Sequence, residues 1–238
     1  MPVVITLSRQ AESGGEEIAR LVSQRAGLQL ADRVILEHIA QREGVPVAQL
    51  AVFDEAIPGA IEAVIAEWRT SVSHATYLRR LVHTLLALER EDNVLILGRG
   101  AAFVLTDPGT LHVRVVAPLP CRIARLVQRE GIPRSEAERI LRRSDEARIR
   151  FVHQAFDANI DAACHYDLTI NTAELTVDDP AEIVVLAGRR KANRRAVAPE
   201  TAEDFLSHLL RFRRRPRFPR VSEIIWRHCE RRSCGPGV

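Results

Sequence analysis

Two hydrophobic periods alternate along this chain. Val3-Val4-Ile5-Thr6-Leu7 is a continuous, β-branched apolar run, the pattern of a strand. Ser8 to Gly15 is a polar turn ending in two adjacent glycines. Ile18, Leu21 and Val22 then keep i, i+3, i+4 spacing, which predicts a helix starting just after Gly14-Gly15. The alternation repeats. Gly27 to Ala31 reads as a short second strand, and Asp32 is a plausible N-cap for a helix over 34–41. Helical segments fill Pro46 to Glu91, with Trp68 and Tyr77 expected as packing residues. Val94-Leu95-Ile96-Leu97 is an unbroken apolar run before Gly98-Arg99-Gly100, expected to be a strand buried on both faces. Leu111 to Ala117 is the next strand, stopped by Pro118. A helical region covers Pro120 to about Ala163, Leu168 to Thr172 is the last strand, and Asp179-Pro180 opens a helix through Leu186. Strands alternating with helices predict a parallel sheet covered on both faces. Ligands of such sheets bind at the carboxyl ends of the strands. Ser8–Gly15, Asp32-Arg33 and Gly98-Arg99-Gly100 all fall at that one edge.

Composition changes this picture little, and charge changes it more. At 238 residues with 46% apolar content, the chain can form one sizeable α/β domain and an appendage. No apolar run is long enough to span a bilayer. The N-terminus enters the first strand without a basic leader, and the four scattered cysteines suit reduced thiols, so a cytoplasmic protein with no membrane partner is expected. His228, Cys229 and Cys234 lack paired ligand spacing, and no metal site is expected there. The net charge is +3, unevenly spread. Residues 189–238 carry 14 basic and 5 acidic side chains, leaving 20 and 26 in residues 1–188. Two units follow: a mildly acidic body over 1–188 and a basic extension over 189–238. Lys191 is the sole lysine.

The candidate chemistry is phosphate binding. A strand, a glycine-bearing turn and a helix N-terminus place backbone N–H groups where an anion can sit. Gly14-Gly15 also fits an ordinary turn, so the rest of the chain must decide. Arg122, Arg125 and Arg129 share a helix face at i, i+3, i+7, Arg143 and Arg150 share one at i, i+7, and Asp145 can pair with Arg148. These arginines suit either a solvated helix surface or guanidinium forks closing on a polyphosphate.

Together, Ile5-Thr6-Leu7-Ser8-Arg9-Gln10 with Ser13-Gly14-Gly15, Asp32-Arg33, Asp54-Glu55, Gly98-Arg99-Gly100-Ala101 and Tyr166 to Thr172 resemble the cytidylate kinase-like family of P-loop nucleoside monophosphate kinases. The similarity runs from about residue 3 to 187. It implies a three-layer P-loop kinase fold with a five-stranded parallel sheet, a helical insert and an arginine-rich lid. It also implies ATP and a nucleoside monophosphate as ligands, with Mg²⁺ accompanying ATP. By this comparison Ser13, Gly14 and Gly15 hold the donor phosphates, Asp32, Arg33, Gly98 and Arg99 face the monophosphate, Arg9 is a further phosphate-binding residue, and Arg143 and Arg148 reach the transferring group.

The sequence also departs from a standard phosphate loop, in which Lys and then Ser or Thr follow the last glycine. With Gly15 taken as that glycine, Glu16 and Glu17 occupy those places. Glu12 and Glu16 add carboxylates that would repel a phosphate by roughly 1–4 kcal/mol each unless they point outward or hold a metal. Two alternatives therefore stand beside a cytidylate kinase: a degenerate kinase fold that senses a nucleotide or anion, and a nucleic-acid-associated protein. The second rests on the extension, read as a linker over 189–195, a capped helix over 201–210, and arginines interleaved with aromatics over 211–220. That last stretch suits nucleic acid, another anionic partner, or packing on the body.

Overall fold

The computed structural model describes residues 3–32 and 74–195, with positions 35, 37 and 41 between them. Arg33, Trp68, Asp54-Glu55 and the segment 196–238 lie outside the described residues. Five strands form one parallel sheet: β1 (Val4–Arg9), β2 (Gln29–Ala31), β3 (Val94–Leu97), β4 (Leu111–Val116) and β5 (Leu168–Asn171). Their order across the sheet is β2-β3-β1-β4-β5. β1 is therefore central, paired in register with β3 (Ile5 beside Leu95) and β4 (Ser8 beside Arg114). Each connection between strands passes through helical chain, as parallel pairing requires. The described helices are α1 (Gly15–Ala26), α2 (His74–Glu91), α3 (Ala101–Val104), α4 (Leu119–Glu130), α5 (Arg134–Phe156) and α6 (Asp178–Arg195).

The apolar runs explain the layering. Alternate residues of β1 point to opposite faces. Val4 joins one core with Tyr77, Leu81, Ile96 and Phe156, so α2, α3 and α5 cover that face. Ile5 and Leu7 join the other with Ile18, Val22, Val113 and Val184, so α1 and α6 cover the opposite face. This is the expected three-layer P-loop kinase fold, and Tyr77 is a fully buried packing residue.

Two boundaries differ from the sequence reading. The helical region after Pro118 is two helices, parted at Gly131-Ile132-Pro133 and closed by a small core of Ile123, Leu126, Ala137 and Leu141. The last helix does not stop at Leu186, and 189–195 is not a linker: α6 runs on to Arg195. Gly188 sits close to β1, where an added Cβ would lie 3.1 Å from Ile5 Cδ1. Lys191 also ion-pairs with Asp167, so the basic run is held as helix.

Candidate active site

The carboxyl ends of β1, β2, β3 and β4 bring the loop 10–14, Asp32, Gly98–Gly100 and Ala117 to one edge. A cleft opens there, lined among others by Ser8, Arg9, Arg99, Phe103, Arg148 and Val152. Beside it lies a smaller hollow that Arg9 and Arg148 share with Arg114, Asp145 and Asp161. Of the residues singled out from the sequence, Arg9, Gly98, Arg99 and Arg148 line the cleft. Arg143 is exposed on α5 and is not among the lining residues.

The loop is built from its own hydrogen bonds. Ser13 is fully buried; its hydroxyl donates to the Gln10 carbonyl at 2.8 Å and its N–H to the same oxygen at 3.3 Å. Its own carbonyl accepts from Thr172 Oγ1 at 2.7 Å. The Ser13 N–H is thus engaged inside the loop, not directed at a ligand as the sequence suggested. Gly14 stands in the left-handed region at φ 78° and caps α1, with Ile18 N–H donating to its carbonyl. The N–H groups of Gly15, Glu16 and Glu17 open the helix, where intrahelical acceptors are lacking.

The α4 arginines hold the loop from outside. Buried Arg122 donates to the carbonyls of Ala11 (3.2 Å) and Ala117 (3.0 Å), and grips both Asp145 oxygens at 2.8 and 3.2 Å. Arg125 donates to the carbonyls of Glu12 (3.2 Å) and Thr172 (2.6 Å). Arg129 meets the Glu12 carboxylate at 2.8 Å. The shared face was legible in the sequence, but its target is the loop backbone. The structure also gives Asp145 to Arg122, across two helices, where the sequence had suggested Arg148; Arg148 donates to Ser144 Oγ at 2.6 Å.

Glu12 is turned onto Arg129, so its charge is neutralised locally and the expected bare repulsion does not arise. Burial raises its carboxyl above the usual range; Arg129 opposes this, while Glu17 and Glu16 add to it. Its backbone is left-handed at φ 59°, a conformation that favours glycine. Glu16 is about half exposed and lies 3.3 Å from Arg9 Nη2. At the other side of the cleft Gly98, Arg99 and Gly100 are three successive left-handed residues (φ 76°, 59° and 65°). They aim the Arg99 guanidinium to within 3.7 Å of Asp32.

Two contributors were missed from the sequence. Arg114, in mid-β4, is buried, donates to Ser8 Oγ at 2.8 Å, meets Asp161 at 2.5 Å and lies over the Tyr166 ring. The clue was an arginine inside an otherwise apolar strand of a covered sheet, where a charge needs built partners. Burial pushes the Tyr166 phenol up, against the pull of Arg114. Thr172, which fastens Ser13 and Arg125, had no local clue.

A phosphate-loop edge on a sheet of this order defines a P-loop kinase fold. The particular family follows: the chain belongs to the cytidylate kinase-like family, which it matches over residues 4–174, and the family's fold is that of a nucleotide kinase. A cytidylate kinase of Archaeoglobus fulgidus is 24% identical over 184 residues, covering 77% of this chain and 93% of that protein. A 101-residue stretch is 33% identical to a uronate isomerase of Corynebacterium glutamicum, covering 42% of this chain and 20% of that relative. Among solved structures, an uncharacterized protein of Eubacterium ventriosum superposes with a TM-score of 0.58 at 17% identity, covering 78% of this chain and 97% of that one.

Proposed function

We propose that the protein transfers the terminal phosphoryl group of ATP to a nucleoside monophosphate, CMP or dCMP. The observation that carries this reading is the convergence of Arg9, Arg99 and Arg148 on one cleft beside the N-terminus of α1. In this reading the helix-opening N–H groups of Gly15, Glu16 and Glu17 receive donor phosphates, with Gly14 shaping the turn. Arg99, Asp32, Arg33 and Gly98 receive the acceptor and its phosphate. Arg148, which lines the cleft with Arg9 and Arg99, would stabilise charge on the transferring group, joined by Arg143 if α5 closes. Such transfer needs mainly positioning and preorganised positive charge, which guanidinium forks supply. Mg²⁺ would spread the charge between the β- and γ-phosphates. Among the described residues no cluster of three or more His, Cys, Asp or Glu could hold a metal.

The absence of a lysine after the loop glycines favours a second reading, a fold that binds nucleotide without turnover. One experiment separates the two: calorimetric titration of ATP, CMP and both together with Mg²⁺, followed by a coupled assay of ADP release. Binding of both ligands with CMP-dependent ADP release is expected. Binding without release supports the sensor, and absence of binding removes both readings.

A further inference from the structure

The phosphate loop has no lysine to follow its glycines, and Lys191 is held by Asp167 through an ion pair beside the start of β5. The geometry of the loop points to a replacement. In the pattern G-x-x-x-x-G-K-[ST] the last glycine precedes the helix and the lysine follows it directly. Here Gly14 is the left-handed residue that caps α1, and Gly15 is the first helical residue. Counted from Gly14, the lysine's place falls on Gly15, the hydroxyl's on Glu16 and the first glycine's on Arg9. Relative to the usual loop, a cationic side chain and a bare backbone have exchanged ends.

The packing fits that exchange. A Cβ built on Gly15 would lie 2.5 Å from Arg9 Cβ and 3.0 Å from Arg9 Cγ. The Arg9 stem therefore fills the space in which a side chain at 15 would begin. Arg9 is only 7% exposed, borders the cleft, and rests with Nη2 3.3 Å from Glu16 Oε1. Glu16, at 53% exposure, is free to swing into solvent. A guanidinium that holds one carboxylate oxygen can trade it for a phosphate oxygen of similar geometry.

We propose that Arg9 is the cation that binds the donor polyphosphate in place of the phosphate-loop lysine, with Glu16 as its resting counter-ion. The proposal rests on the donor site in the kinase reading, but it can fail separately. Inorganic tripolyphosphate probes it without a base or turnover. Wild-type protein should bind tripolyphosphate and ATP. Arg9→Met keeps the stem and loses the charge; it should weaken both at least tenfold and leave CMP affinity within twofold, with its thermal midpoint little changed. Arg9→Gly combined with Gly15→Lys puts the cation back at the usual end and should recover most of the loss. Should Arg9→Met not fold, Arg9→Lys against Arg9→Gln carries the same comparison, with Arg9→Lys retaining affinity. Failure of the wild-type protein to bind tripolyphosphate overturns the proposal. So does undiminished binding by Arg9→Met, or loss of ATP and CMP together with the melting midpoint, which would mark Arg9 as structural. Tripolyphosphate binding without phosphoryl transfer to CMP would overturn the kinase reading alone.

Discussion

Arg99 occupies a backbone conformation that disfavours its own side chain. At φ 59° between two left-handed glycines, an L-residue costs roughly 1–2 kcal/mol that a third glycine would avoid. Its guanidinium borders the cleft and lies 3.7 Å from a partly exposed Asp32. A strained position at a cleft mouth points to a ligand. Arg99→Ala should therefore keep the fold and lose CMP affinity at least tenfold. Arg99→Gly should lose the affinity equally but be about 1 kcal/mol more stable than Arg99→Ala in denaturant melts. Unchanged CMP binding in either variant would sink the assignment. A collapse of Arg99→Ala on melting would make Arg99 a structural ion-pair residue instead.

Helix α4 shows what sequence spacing conveys and what it omits. The i, i+3, i+7 arginines do form one face, because 3.6-residue periodicity fixes neighbours within a helix. What that face meets is decided by the loop 11–13 and by Asp145 on α5, far away in sequence. The same contrast holds elsewhere. β1 and β3 were legible because strands covered on both faces are uninterrupted apolar runs. The continuation of α6 to Arg195 was not, since Gly188 and the following basic residues look like a break; packing against Ile5 and the Lys191 tie overrule them. The phosphate loop was legible from strand, glycines and helix. Its register was not, because only the backbone angles distinguish Gly14 from Gly15 as the last loop glycine. A double-mutant cycle tests whether Arg122 couples the two helices. Arg122→Met leaves a mostly buried Asp145 with less compensation and should cost about 3 kcal/mol. Asp145→Leu combined with it should show a coupling of about 1–3 kcal/mol. Strict additivity of the two changes in urea melts would mean that Arg122 serves the loop carbonyls only.

At the scale of the whole molecule, one polar network joins two strands of the sheet, and the residue before a third, to the last described helix. Thr6 Oγ1 of β1 shares a 2.7 Å hydrogen bond with His112 Nδ1 of β4. The His112 backbone N–H donates to Asp167 at 2.8 Å, and Asp167 also ion-pairs with Lys191 of α6. Burial, with the nearby Lys191 charge, lowers the His112 pKa to about 4, and Asp167 only partly opposes this. Asp167 itself is held below its ordinary value: burial would raise it, but the His112 N–H and Lys191 outweigh that. The two groups then act in different pH ranges. For His112 the folded pKa lies below the unfolded value of 6.5, so between them the unfolded chain binds the extra proton and stability rises with pH. Its contribution is present above pH 6.5 and is lost as pH falls towards 4, a change of up to about 3 kcal/mol. Asp167, with an ordinary value of 3.8, contributes above that value and loses its contribution only below it. Stability measured by urea melts should therefore fall between pH 6.5 and 4 in the wild-type protein, and fall less steeply in His112→Gln. Lys191→Met removes one of the two influences that lower the pKa and should move the His112 titration, followed by NMR, back towards 6.5. A His112 resonance already titrating near 6.5 in the wild-type protein, or parallel wild-type and His112→Gln profiles across this range, would show that the network does not hold the histidine neutral.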